Sequence, residues 1–145
     1  MSDASINNPD YTSGLAAFEA KNFSLAMQLL SPLADAGDAD CQHRVAIMCQ
    51  NGLGVVRNEQ RAFSMMQAAA EQGHAVAQHG LGFMYLEGEC VEQDKAKAAE
   101  WFRKAADQGL TGSLTTLARM YEEGDGVEQD PDEAKRLYAL AGFDL

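Results

Sequence analysis

His43 and His79 stand 36 residues apart in this 145-residue chain. Two imidazoles are the start of a metal site or of an acid–base relay, so their company decides what they can do. One further step of 36 reaches Thr115, and no cysteine, aspartate or glutamate completes a ligand set at that column. The pair therefore reads as exposed histidines, and neither a metal nor a cofactor is expected. Cys41 and Cys49 are eight apart on one predicted helix, about two turns, and cannot bridge each other without breaking it. They align with Ala77 and Ser113, and with Tyr85 and Tyr121, which are predicted core columns, so both read as inert buried thiols. Cys90 falls in a turn with no base paired to it in the sequence. P-loop, GxGxxG, HExxH and CxxC motifs do not occur, and no Ser/His/Asp spacing suggests a triad. The chain does not read as an enzyme.

The elements that must position these residues come from a repeat. The tetrapeptide VEQD occurs at Val91–Asp94 and again at Val127–Asp130. At the same 36-residue offset the columns Met48/Met84/Met120, Gly52/Gly88/Gly124, Val55/Val91/Val127, Ala62/Ala98/Ala134 and Ala69/Ala105/Ala141 also coincide. A fixed period of this size marks a repeat architecture. Within the middle copy, Ala77, Leu81, Met84 and Tyr85 follow the spacing of one helix face. A GxxV turn follows, its glycine suited to a left-handed helix end. A second helix is predicted to open at Asn58, Asp94 and Asp130, all good N-cap residues. In the third copy Asp130, Pro131 and Glu133 form a capping-box-like start. Ala98, Trp101, Phe102 and Ala105 make that second helix's apolar stripe in the middle copy, which stops at Gln108–Gly109. Ala26, Leu29, Leu30 and Ala34 keep the register one copy earlier, with the turn between helices shortened to the Ala-Lys-Asn of residues 20–22. One helix pair cannot bury its stripe alone, so the copies must stack into an all-α solenoid of about four antiparallel helix pairs.

Composition limits the partners. Hydrophobic residues make up 46% of the chain, enough for a continuous core. The formal charge is −11, and seven acids with no base fall between Tyr121 and Ala134. Such a surface repels phosphate backbones, so nucleic acid is not expected as a partner, whereas a basic protein or peptide is compatible. The opening MSDASINNPDYTSG has no apolar signal core, and no stretch approaches the length of a membrane span. Three cysteines do not make a disulfide framework, and a reducing cytoplasm is the expected location.

The middle copy, with Ala77, Leu81, Gly82, Tyr85, Gly88, Val91, Asp94, Ala98, Trp101, Ala105, Ala106 and Gly109, closely resembles the Sel1-like repeat, a relative of the tetratricopeptide repeat. Departures are Cys49 for the tyrosine, Cys90 for a turn glycine, and Met65 and Leu137 for the tryptophan. The resulting organisation is a flexible tail over 1–10, a divergent tetratricopeptide-like pair over 11–36, and repeats over 37–72, 73–108 and 109–145. The resemblance implies a right-handed α/α superhelix and a non-enzymatic scaffold that binds proteins or peptides. It also implies that the first helices line a concave surface. On that surface it places His43 and Ile47 in the first full copy, Val76, His79, Phe83 and Glu87 in the middle copy, and Thr115 and Arg119 in the last. A carbohydrate-binding or hydrolase role for the same groove is the alternative. At the chain end, Leu137, Tyr138 and Leu140 lack a covering helix, and Phe143 and Leu145 follow on a short tail. Either this tail folds back over the last pair, leaving a monomer, or two chains bury these ends in a dimer. The adjacent acidic cluster favours the monomer.

Overall fold

The computed structural model describes residues 7–143. Residues 1–6 of the expected tail, and Leu145, lie outside the described residues. Eight helices and no strand occur among the described residues. They are α1 (Pro9–Glu19), α2 (Phe23–Asp35), α3 (Ala39–Asn51), α4 (Glu59–Glu71), α5 (Ala75–Glu87), α6 (Lys95–Asp107), α7 (Thr111–Glu123) and α8 (Pro131–Leu140). The chain divides into two compact units, Met1–His74 and Ala75–Leu145. In the first, α1 packs on α2, α2 on α3 and α3 on α4. The second follows the same order: α5 on α6, α6 on α7 and α7 on α8.

Each pair is closed by the same few backbone bonds. Gly52 and Gly124 end α3 and α7 in the left-handed conformation at φ 66°, and Gly88 follows α5 at φ 69°. A side chain there would bring Cβ against the following carbonyl, which is why glycine holds the column. The chain then turns so that the N–H groups of Asn58, Asp94 and Asp130 donate to the carbonyls of Cys49, Tyr85 and Tyr121, each at 2.9 Å. The same three residues cap the next helix, their side-chain oxygens accepting from the N–H groups of Arg61, Lys97 and Glu133 at 3.0 to 3.1 Å. The capping box at Asp130 is made on one side only. The carboxylate of Glu133 accepts from Arg103 (2.7 Å) and Arg136 (2.6 and 2.9 Å), two cations that outcompete a neutral backbone donor. The leading pair turns at Ala20–Asn22, with Lys21 taking the left-handed position at φ 62°.

Second helices end in paired bonds of the Schellman type. Gly37, Gly73, Gly109 and Gly142 donate to Ala34, Ala70, Ala106 and Ala139, while Asp38, His74, Leu110 and Phe143 donate one residue further back, to Leu33, Ala69, Ala105 and Tyr138. At the last of these the Phe143 ring meets Tyr138 edge-on, the apolar contact that accompanies this motif. Leu137 is buried, yet Leu140 is 60% exposed and Phe143 51% exposed.

The core follows the repeat columns. Met48, Met84 and Met120 are all buried on the first helices, as are Leu30, Met66, Phe102 and Leu137 on the second helices. Trp101 is not the buried aromatic of its stripe. It is half-buried with the Lys104 ammonium over its ring, and the neighbouring Phe102 takes the interior position instead. Gly82 makes room for it: a methyl group there would lie 2.7 Å from the Phe102 ring.

Two consequences are measurable. Gly109 (φ +84°) has open space around its Cα, whereas a methyl on Gly126 (φ +80°) would lie 2.6 Å from the carbonyl oxygen of Lys95. Gly109→Ala should cost only the left-handed strain, about 1 kcal/mol, and Gly126→Ala distinctly more, as read from urea midpoints. The guanidinium of Arg136, followed by that of Arg103, holds the Glu133 carboxyl down at about 2 against the opposing effect of burial. A depressed carboxyl stabilises the fold fully above its unfolded range near 4.5 and loses that contribution as pH falls toward about 2. Melting temperature should therefore drop across this window, and Glu133→Gln should flatten the drop while lowering the neutral-pH plateau.

Candidate functional site

The first-helix faces carry the side chains singled out in the sequence, and each unit is built differently. In the first unit, Asp40 and His43 are one turn apart on α3, and the Schellman turn after α4 delivers His74 beside them. His43 and His74 stack with ring centroids 5.0 Å apart and planes tilted by 30°. His74 Nε2 lies 3.5 Å from Asp40 Oδ1. The other carboxylate oxygen, Oδ2, accepts from the Tyr11 hydroxyl at 2.9 Å and from Arg44 Nε at 3.1 Å. His74, then Tyr11 and Arg44, hold the Asp40 carboxyl well below the usual carboxylate range despite its burial. Burial, reinforced by the hydrogen bond to Asp40, pushes the Tyr11 hydroxyl up to about 12. His43 goes the other way: burial first, then the neighbouring His74, lowers it to about 4, so its ring is neutral at pH 7. Asp38 is 4% exposed; its Oδ1 caps Cys41 N–H at 2.8 Å while Oδ2 has no hydrogen-bond partner among the described residues. Ile47 continues the face, half-buried.

These positions correct the sequence reading of the histidines. Neither His43 nor His79 is fully exposed; both are half-buried. His43 also has acidic and imidazole company that its column does not reveal, because Asp40 and His74 belong to other columns.

In the second unit the face is aromatic. His79 Nδ1 lies 2.6 Å from the buried Ser113 hydroxyl, and burial lowers the ring's pKa. His79, Phe83 and Phe102 form a triangle of edge-to-face contacts at 4.9, 5.0 and 5.4 Å. Phe83 thus stands on the buried Phe102, one edge in the core and the rest at the surface. It joins Thr115, Thr116, Arg119 and Tyr138 in lining an open depression of roughly 310 Å³. The hydroxyls of Thr115 and Thr116 donate back to the Gly112 carbonyl at 3.1 and 2.7 Å, leaving their oxygen lone pairs facing outward as acceptors. Arg119 is exposed and makes no ion pair among the described residues. Of the predicted face, Phe83, Thr115 and Arg119 converge on this depression; Val76 (46% exposed) and Glu87 do not line it. Tyr138, the residue that completes it, lies on α8 and was missed. Its column partners Met66 and Phe102 are buried core, and the sequence marks Tyr138 only as an apolar residue left uncovered at the chain end, with nothing to join it to Phe83.

The thiols behave as expected in one respect. Cys41 and Cys49 are buried, and burial raises both above the ordinary thiol range. Cys90 is half-buried in the turn and adopts φ 65°, a conformation its column otherwise fills with Gly54 and Gly126.

Among solved structures, the chain is similar to a Sel1 repeat protein from Oxalobacter formigenes, with TM-score 0.87 and 29% identity over 93% of this chain and 54% of that one. It is also similar to c5321, a protective antigen of uropathogenic Escherichia coli displaying an SLR fold, with TM-score 0.78 and 34% identity over 80% of this chain and 25% of that one. Helicobacter pylori cysteine rich protein B shares the fold at TM-score 0.60 and 19% identity, over 93% of this chain and 90% of that one. This chain thus spans about half of the Oxalobacter protein and a quarter of c5321. No curated protein matches. The Sel1 repeat model matches four successive segments, 11–38, 39–74, 75–110 and 114–142. With an all-α solenoid fold and matched repeats over most of its length, the chain belongs to the Sel1 repeat family, whose members commonly serve as protein-interaction scaffolds.

Proposed function

We propose that this chain is a non-catalytic adaptor that holds a peptide or a protein segment against its first-helix faces, with the depression of the second unit as the principal anchor point. The observation that carries the reading is the convergence of Phe83, Thr115, Thr116, Arg119 and Tyr138. Two aromatic residues offer apolar area to one inserted side chain. The guanidinium of Arg119, with no ion pair to break among the described residues, can take a backbone carbonyl or a carboxylate from the same ligand. Burial, then Glu122 and Glu123 working against Arg119, raises the pKa of the Tyr138 hydroxyl, and the two carboxylates would favour basic residues flanking the inserted one. His43 and Ile47 form the corresponding face of the first unit.

Selection of peptides from a random display library on the purified chain tests this reading. Enriched peptides should carry an apolar or aromatic anchor next to basic residues, and Arg119→Glu should weaken them at least tenfold without changing the melting temperature. Peptides that bind Arg119→Glu as well as the wild type would overturn it. So would glycan binding or hydrolysis of generic substrates that Arg119→Glu abolishes. Stability gives a second check on Phe83. Because the ring is half-buried, Phe83→Ala should cost roughly 1–2 kcal/mol, against roughly 3–5 for Phe102→Ala, in urea denaturation.

A further inference from the structure

We propose that Asp40, His43 and His74 form a binding site for a divalent transition-metal ion of the zinc class in the first unit. The donor atoms of these three side chains all lie within 4.8 Å of one another. In a tetrahedral site with bonds of about 2.0–2.1 Å, neighbouring donors stand roughly 3.4 Å apart. His74 Nε2 and Asp40 Oδ1 are already at 3.5 Å, so only the His43 ring has to swing inward, by about an ångström. Neither ring nitrogen of His43 has a hydrogen-bond partner among the described residues, so this movement breaks no bond.

The surroundings orient the ligands as metal sites require. Tyr11 and Arg44 both bind Oδ2 of Asp40, which fixes the carboxylate and turns Oδ1 toward the two imidazoles. The Arg44 cation opposes a bound dication. Two carboxylates in the first turn of α3 and just before it, Asp40 and the buried Asp38 with its unpartnered oxygen, offset that cation, as does a chain carrying −11 overall. Two imidazoles and one carboxylate select ions such as Zn²⁺ or Co²⁺ over Mg²⁺ or Ca²⁺, which demand an all-oxygen shell. Three protein ligands leave a fourth position for water or for a group on a partner.

The repeat supplies its own control. The equivalent positions in the second unit are Val76, His79 and Leu110, a single ligand with two apolar residues. Its histidine is engaged by Ser113 and two aromatic rings. The site is thus specific to one copy, which a structural role common to all repeats would not produce.

The test uses the untagged chain stripped with chelator and titrated with Zn²⁺ by calorimetry, and with Co²⁺ by visible absorption. One ion per chain should bind, and His43→Gln and His74→Gln should each weaken it at least tenfold, while His79→Gln leaves it unchanged. Asp40→Asn is the poorer variant, since Asp40 also holds Tyr11 and Arg44. The chain has three histidines, so imidazole NMR of the wild type gives a readout that depends on no variant folding. Zn²⁺ should move the His43 and His74 resonances and leave those of His79 in place. Binding lost in Cys90→Ser would assign the ion to a thiol and overturn the proposal. Absence of saturable one-to-one binding, or equal binding by both histidine variants, would also overturn it.

Discussion

A single backbone hydrogen bond sets the geometry of every repeat after the leading pair. The N–H of the residue that caps the second helix donates to a carbonyl in the last turn of the first helix, at the same 2.9 Å in all three copies. That carbonyl would otherwise be an orphan of the helix end, and the donor would be an orphan of the next helix start. One bond satisfies both and fixes where the second helix begins. The bond forms only because the chain has first reversed through glycine in the left-handed region. Side chains repeat the tie: Arg57, Gln93 and Gln129 donate to the carbonyls of Gln50, Leu86 and Glu122, each one residue after the first.

Because backbone groups carry this frame, the side chains on the outer face of each first helix are left free to differ. Asp40 and His43 in one copy correspond to Val76 and His79 in the next, and to Gly112 and Thr115 in the last, with no change in helix length. Identical scaffolds thus present an imidazole–carboxylate cluster in one unit and an aromatic depression in the other. The inner positions have no such freedom. Accommodating the wide Phe102 requires Gly82 opposite it, at a column that the other two copies fill with the buried Ala46 and Ala118.

Charge is distributed by the same logic. With 11 bases against 22 acids, many of the bases are committed to ion pairs: Arg44 to Asp40, Arg57 to Glu59, Arg61 to Asp35, Lys95 to Asp125, and Arg103 and Arg136 to Glu133. The pairs of Lys95 and Arg103 each span 30 residues, tying α6 at two points to the hairpin that follows. Exposed pairs of this kind contribute little individually, typically under 1 kcal/mol. Their larger effect is on what remains, an acidic surface on which Arg119 is one of the few cations without an ion pair among the described residues.

The sequence alone determined the helix pairs, their glycine stops and their caps, because these depend on local chemistry repeated three times at a fixed spacing. Met48, Met84 and Met120 were legible as core for the same reason. Periodicity reveals which residues are equivalent, however, and not which residues touch. Within a hairpin, contacts join residues about 30 apart, as His43 meets His74 and Gln42 meets Gln72, well short of the 36-residue period. The sequence therefore set His43 beside His79, its equivalent, and only the folded chain set it beside His74 and Asp40. Trp101 and Phe102 were adjacent on one predicted stripe, and the choice between them fell to the gap above Gly82, a volume no sequence spacing records. Tyr138 was legible as an apolar residue left uncovered at the chain end, but only the folded chain brings it, half-exposed, beside Phe83 to complete the depression.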